Sequence, residues 1–314
     1  MANRTGTLEQ PAVAGRRSAS LWGDAWRRLI RNRLAVVGGV LVLTFFSLAI
    51  LGPFIAPYEY QAQHLPEILA NNNRPIPPFG SQFLLGTDNL GRDLLSRLLD
   101  GAQISMTVAL VVQAVVLLIG LPIGAAAAWF GGRVDTYLMR FTDVIYAFPD
   151  LLFIILLSVA FRETFFGKAM NGLLLVFVAI GLTAWVGMAR LVRGQLLSLK
   201  ETEFVEAARA IGVSDFRIVT RHLLPNAMGP MIVAVTLGIP GAILAEATLA
   251  FIGIGAQAPR ASWGSLVANG QPFLRSAPHL VIFPALAVAT ALISFTFLGD
   301  GLRDALDPKL KGKQ

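Results

Sequence analysis

Six apolar runs, each long enough to cross a bilayer, constrain this 314-residue chain more than any other feature. They fall at about 34–55, 103–130, 138–161, 171–190, 224–254 and 278–298. A helix rises about 1.5 Å per residue, so about 20 apolar residues cross a hydrocarbon core of about 30 Å. Inside hydrocarbon every backbone N–H and C=O must be satisfied within the protein, which leaves helices or closed barrels. Barrel strands would read as alternating segments of about 10 residues, and the sequence has none. The expected fold is all-α, a polytopic membrane protein with six transmembrane helices. Composition agrees: 55% of residues are hydrophobic and 14% charged, against roughly 45–50% and 25% in a soluble domain. The third run is the weakest, because it carries Arg140, Asp143 and Asp150.

Charge then sets the expected orientation. With a cytoplasmic N-terminus and alternating spans, 19 Lys and Arg residues fall inside and 7 outside. That is a positive-inside pattern, and it puts both termini in the cytoplasm. The same excess accounts for the pI of about 10.2. No basic stripe with interleaved aromatics occurs, so nucleic acid is not an expected partner. The first thirty-odd residues are polar and basic, and the run after them is too long for a signal-peptide core. It reads as an uncleaved span. Leu21, Trp22, Ala25, Trp26, Leu29 and Ile30 recur at helical spacing opposite Arg27, Arg28 and Arg31, which predicts an interfacial helix on the bilayer.

The resulting division is a tail at 1–33, a first span at 34–56, an extracytoplasmic loop at 57–101, a five-helix core at 102–303 and a tail at 304–314. Within the loop, Thr87 or Asp88 is expected to cap a helix running through Leu94, Leu95 and Leu98. Gly120 and Gly124, followed by Ala125 to Ala128, form a small-residue face suited to close helix approach.

Most catalytic chemistry is excluded. The chain has no cysteine, which removes thiolate metal sites and Cys nucleophiles. Gly167-Lys168 lacks the rest of a phosphate-binding loop, and no histidine pair has metal-ligand spacing. No nucleophile elbow occurs. No cofactor or metal is expected on this chain. Three acids remain in or near the spans. Asp143 and Asp150 are seven apart, a spacing that shares one helix face, and Glu246 lies inside the fifth run. Such charges are costly and line cavities or pair with partners. One reading makes them polar lining of a transport path. The other pairs Asp143 with Arg140 and has Asp150 end one half of a helix broken at Pro149.

The polar stretch from 195 to 226 stands between two spans, on the predicted cytoplasmic side. Glu203 to Ile211 is helix-forming, with Phe204, Ala208 and Ile211 on one face. Gly212 is placed to end that helix in a left-handed turn. Ser214 or Asp215 then caps a second short helix, and Pro225 stops it at the membrane surface.

Here the sequence resembles the loop of binding-protein-dependent ABC importers, which reads E-A-A-x-x-x-G-x9-I-x-L-P. Glu206, Ala207, Ala208, Gly212, Leu224 and Pro225 stand at that spacing, with His222 in the Ile position. Leu85-Gly86-Thr87-Asp88 with Gly91-Arg92-Asp93 is similar to the dipeptide/oligopeptide branch of the same family. So are Ala245-Glu246-Ala247 with the Phe251–Gly255 stretch and Trp263-Gly264, and the ending from Gly299 to Pro308.

The resemblance implies a type I importer permease fold, one N-terminal span plus a five-helix core, in a bacterial inner membrane. It implies that Glu206 to Pro225 dock on an ATPase, with Asp143, Asp150 and Glu246 as candidate pathway or gating residues. The implied partners are a second homologous permease subunit forming a heterodimer, two cytoplasmic ATPase subunits that hold ATP and Mg, and an extracytoplasmic substrate-binding protein. The implied role is passage of di- or oligopeptides; nickel and glutathione importers share the pattern. An ion-coupled secondary transporter using the three acids is the alternative from another class.

Overall fold

A computed structural model describes residues 21–80, 82–256 and 258–307. The basic residues Arg4, Arg16, Arg17, Lys309, Lys311 and Lys313, and Pro308, lie outside this set. The described residues are helical, with no strand beyond an isolated bridge between Thr87 and Asp93.

The segment read as an amphipathic helix is helical as α1 (Leu21–Arg31) and breaks at Asn32. The Asn32 side chain accepts from the Leu34 and Ala35 amides and so caps α2 (Arg33–Ile55), the first long apolar helix. The loop after α2 contains α3 (Leu65–Ala70).

The next helix, α4 (Leu94–Phe130), starts earlier than the apolar run suggested. Its cap is Asp93, not Thr87 or Asp88: Asp93 accepts from the Ser96 amide at 2.8 Å and its hydroxyl at 2.7 Å. Thr87 and Asp88 organise the loop before it. Thr87 accepts from the Ile76 amide at 2.9 Å, and Asp88 from the Leu90 and Arg92 amides.

The third span is two helices. α5 (Gly132–Ala147) and α6 (Asp150–Ala160) meet at an angle of 84°. Pro149 explains the break, since it disfavours helix at Phe148 and cannot donate to a helix running through it. The shared helix face inferred for Asp143 and Asp150 therefore does not exist.

The short α7 (Phe165–Lys168) leads to α8 (Leu173–Lys200), which outruns its apolar segment by more than two turns. The polar connection folds as α9 (Glu203–Ala210) and α10 (Asp215–Ile218). A wide π turn, Val219–Leu223, joins α10 directly to α11 (Leu224–Phe251). Pro225 thus stops nothing. It sits in the first turn of α11, and the π turn before it relieves the clash a proline makes with the carbonyl four residues back. α12 (Trp263–Gly270) and α13 (His279–Leu306) complete the bundle. Among the described residues five helices are long and apolar enough to cross a membrane, and the bent α5–α6 pair brings the number to six when counted as one span.

The core lies between α4 and α8, around Val108, Val112, Phe177 and Val192. The two helices approach closely at the predicted small-residue face. A Cβ on Gly120 would lie 2.8 Å from the Met188 Cβ, and one on Gly124 would strike the Ala189 carbonyl oxygen. The α12 helix is pinned to the start of α4 by the buried Trp263, whose indole donates to the Leu98 carbonyl at 3.0 Å. Leu43 and Phe54 of α2 and Leu118 of α4 are exposed, as lipid-facing side chains are.

Candidate functional site

The connection from α8 to α11 is a small folded unit, not a flexible loop. Val205 and Ala208 on α9, Ile218 on α10 and Leu223 in the π turn are buried in the main core. Of the face expected to hold Phe204, Ala208 and Ile211 together, only Ala208 is buried; Phe204 and Ile211 are exposed. The α9 helix ends at Ile211, and Gly212 adopts φ +78°. The Gly212 amide donates to the Arg209 carbonyl at 2.9 Å and the Val213 amide to Ala208 at 3.0 Å. That pair of bonds defines a Schellman ending, whose left-handed residue is glycine because a Cβ there is strained. Ser214 holds the cap position of α10, but its side chain makes no cap bond.

This folding leaves Glu206, Ala207, Gly212 and Pro225 exposed at one end of the bundle, with Leu224 half-buried and Ala208 buried beneath them. Ile211 is 81% exposed and Phe216 80%. The exposed end of this unit is a charged tip flanked by large apolar side chains, carried on a packed base.

The base has an anchor that the sequence did not reveal. Lys200, the last residue of α8, donates to the Trp129 carbonyl at 2.7 Å and the Ala128 carbonyl at 3.2 Å. It thereby caps the carbonyl end of α4, where a cation is favoured by the helix dipole. The Trp129 ring also lies 5.0 Å from the Arg209 guanidinium carbon and 5.3 Å from Lys200 Nζ, within cation–π range. The signal is faint, a lone Lys after an apolar helix and a Trp about 70 residues earlier. Lys200→Ala removes charge-assisted bonds of about 1.5–3 kcal/mol each. The expected result is faster amide exchange across 203–211 in deuterium labelling, with α11 protection unchanged.

The three acids are not brought together. Asp143 pairs with Arg190 on α8 at 2.7 Å, not with the predicted Arg140. Arg190 also stacks 4.7 Å from the Tyr146 ring centre. One turn further along α8, Arg193 grips Asp135 with both nitrogens, the longer bond being 2.6 Å. These pairs fasten α5 to α8. Asp150 is exposed at the first position of α6, where a carboxylate suits the helix N-terminus.

Glu246 is different. It is 1% exposed on α11, and neither carboxylate oxygen makes a hydrogen bond. The Ser262 hydroxyl is the polar group beside it. Among the described residues no three His, Asp or Glu stand close enough to hold a metal ion. An uncompensated charge at that depth costs several kcal/mol. Glu246→Gln keeps the shape and is expected to leave thermal stability in detergent unchanged or raised, whereas Glu246→Ala lowers it.

A bundle of apolar helices with one broken span and an exposed helix–turn–helix connection is the architecture of an importer permease. A chain of the MetNI methionine ABC transporter, solved in inward-facing conformations, superposes with a TM-score of 0.56 at 20% identity. The match covers 67% of this chain and 96% of that one, and it establishes the fold. Residues 120–312 match the family described as binding-protein-dependent transport system inner membrane component, and residues 20–75 match the N-terminal TM domain of oligopeptide transport permease C. The chain belongs to the binding-protein-dependent transport system inner membrane component family. Its relatives include the dipeptide transport system permease protein DppC of Bacillus subtilis (strain 168), 43% identical over 94% of this chain and 88% of the relative. The oligopeptide transport system permease protein OppC of Escherichia coli (strain K12) is 41% identical over 96% of this chain and 94% of its own length.

Proposed function

We propose that this protein is the permease subunit of an ATP-driven peptide importer, forming half of a path for di- or oligopeptides. The observation that carries this reading is the rigid tip from Glu206 to Pro225. Its residues match the ATPase-docking spacing and are held outward by the Gly212 turn and the Lys200 anchor. The near full-length similarity to DppC and OppC relatives supports peptides as the substrate class.

In this mechanism two separate cytoplasmic ATPase subunits bind ATP and Mg, and their closure pushes on the tip. Because α9 and α10 are packed into the core and α10 runs straight into α11, the push moves α11 as a lever. The path then alternates between inward- and outward-facing states, each biased by a partner. A second, homologous permease subunit supplies the other half as a heterodimer, and an extracytoplasmic binding protein delivers the peptide. The termini and the tip are cytoplasmic, in keeping with the charge distribution. Asp143 fastens α5 to α8 and Asp150 supports the start of α6, while the buried Glu246 is kept as a candidate gating residue.

The test is uptake of a labelled dipeptide by proteoliposomes holding the whole complex. Uptake is expected to follow internal ATP, to ignore an imposed proton or sodium gradient, and to be competed by oligopeptides but not by nickel or glutathione. Uptake that follows an ion gradient without ATP would sink the reading in favour of a secondary transporter.

A further inference from the structure

A groove of about 730 Å³ opens at the Glu206 end of the bundle, between α1, α8, α11 and α13. Its size falls within the roughly 300–1,000 Å³ of ligand sites. Its wall along α11 runs from Pro225 to Leu237, about 18 Å at 1.5 Å per residue. That is close to the depth of one leaflet, half of a hydrocarbon core of about 30 Å. Leu191 of α8 and Pro230 and Val233 of α11 make the deep part apolar.

The polar groups gather at the mouth. Arg28 and Asp24 come from α1, Arg303 from the last turns of α13 and Asp307 from the residue after it. Among the described residues neither arginine forms an ion pair; Arg28 donates only to the Asp307 carbonyl, at 3.5 Å. Trp22, 53% exposed, stands at the same rim, and Trp26 beside it is 64% exposed. Amphipathic aromatic and basic side chains of this kind mark the level of the lipid headgroups.

We infer that this groove is a phospholipid site, and that its occupant is phosphatidylethanolamine. One acyl chain lies along α11. The phosphate sits between Arg28 and Arg303, and the primary ammonium donates to Asp24. A basic pocket between spanning helices suits a lipid phosphate. The carboxylate beside the arginines adds a preference that a purely anionic headgroup does not satisfy. The groove includes Pro225, so a lipid here packs beneath the tip that receives the ATPase.

The experiment uses the whole complex in nanodiscs of phosphatidylcholine alone, or with phosphatidylethanolamine or phosphatidylglycerol added, and reads retained lipid by native mass spectrometry. Phosphatidylethanolamine is expected to be retained roughly tenfold over phosphatidylcholine, whose quaternary ammonium donates no hydrogen bond. Asp24→Asn removes its preference over phosphatidylglycerol. The Arg28→Ala/Arg303→Ala pair loses retention, Arg28→Lys/Arg303→Lys keeps it, and Arg31→Ala, outside the groove, keeps it fully. Retention without headgroup preference, or unchanged in the double alanine variant, would overturn the assignment. The natural chain has no cysteine, so Val233→Cys carries a unique photo-cross-linker that needs no disruptive change. Capture of lipid supports the site, while capture of the second permease subunit or of this chain's own tail overturns it.

Discussion

Replacing Gly212 by aspartate is expected to stop peptide uptake while the protein still accumulates in the membrane. A Cβ at Gly212 meets no atom within 4 Å, so the substitution creates no clash inside this chain. Its backbone cost, at φ +78°, is about 1–2 kcal/mol, too little to unfold a bundle packed along α4 and α8. The effect falls on the surface. The new carboxylate is presented beside Glu206, Ile211 and Phe216, where the proposed ATPase covers it. An unpaired charge buried in a contact costs about 3–5 kcal/mol, more than about 100-fold in association. Co-purification of the ATPase should therefore fall with uptake, at unchanged membrane level. Gly212→Asn is the control, since asparagine tolerates the left-handed region and adds no charge; it should retain most of both. Normal uptake by the aspartate variant would remove the tip from the mechanism.

The second large effect is structural. Gly124→Val is expected to destabilise the bundle strongly. A Cβ there strikes the Ala189 carbonyl and lies 2.8 Å from the Val192 Cβ. Both belong to the rigid backbone or stem of α8, so nothing flexible yields. Forcing extra volume into a packed contact costs about 1–3 kcal/mol or more. This contact also seats Lys200 on the end of α4, so the damage spreads to the tip. Gly187→Ala on α8 is the contrast, because nothing lies within 4 Å of its added carbon. Thermal melting in detergent should drop sharply for Gly124→Ala, further for Gly124→Val, and not for Gly187→Ala. Equal melting of all three would show that the close approach of α4 and α8 is not what holds the bundle.

Much of this molecule was legible in the chain. The loop spacing from Glu206 to Pro225 was also readable, and Gly212 took the left-handed turn expected of it. What went astray did so for local physical reasons. Asp143 and Asp150 were placed on one face because helix periodicity was carried across Pro149, where the backbone turns by 84°. Pro225 was read as a stop because the π turn that accommodates it has no sequence signature. Phe204, Ala208 and Ile211 were read as one apolar face, but only Ala208 of the three is buried; the helix packs through Val205 and Ala208 and leaves the two larger side chains exposed. Asp93 outcompeted Thr87 and Asp88 as a cap because those two were already bonded within their own loop.

Apolar run length by itself determined that the chain crosses a membrane as helices and where its polar tip lies along the sequence. These are sums over neighbouring residues, so no knowledge of packing was required. Only the tertiary structure decided that Asp143 meets Arg190, that Lys200 caps a helix ending about 70 residues earlier, and that α1, α8, α11 and α13 enclose a groove. Such contacts depend on which helix faces which. Spanning helices share one apolar surface chemistry; the small residues at Gly120 and Gly124 marked a face for close approach, but not that Ala189 and Val192 of α8 would fill it.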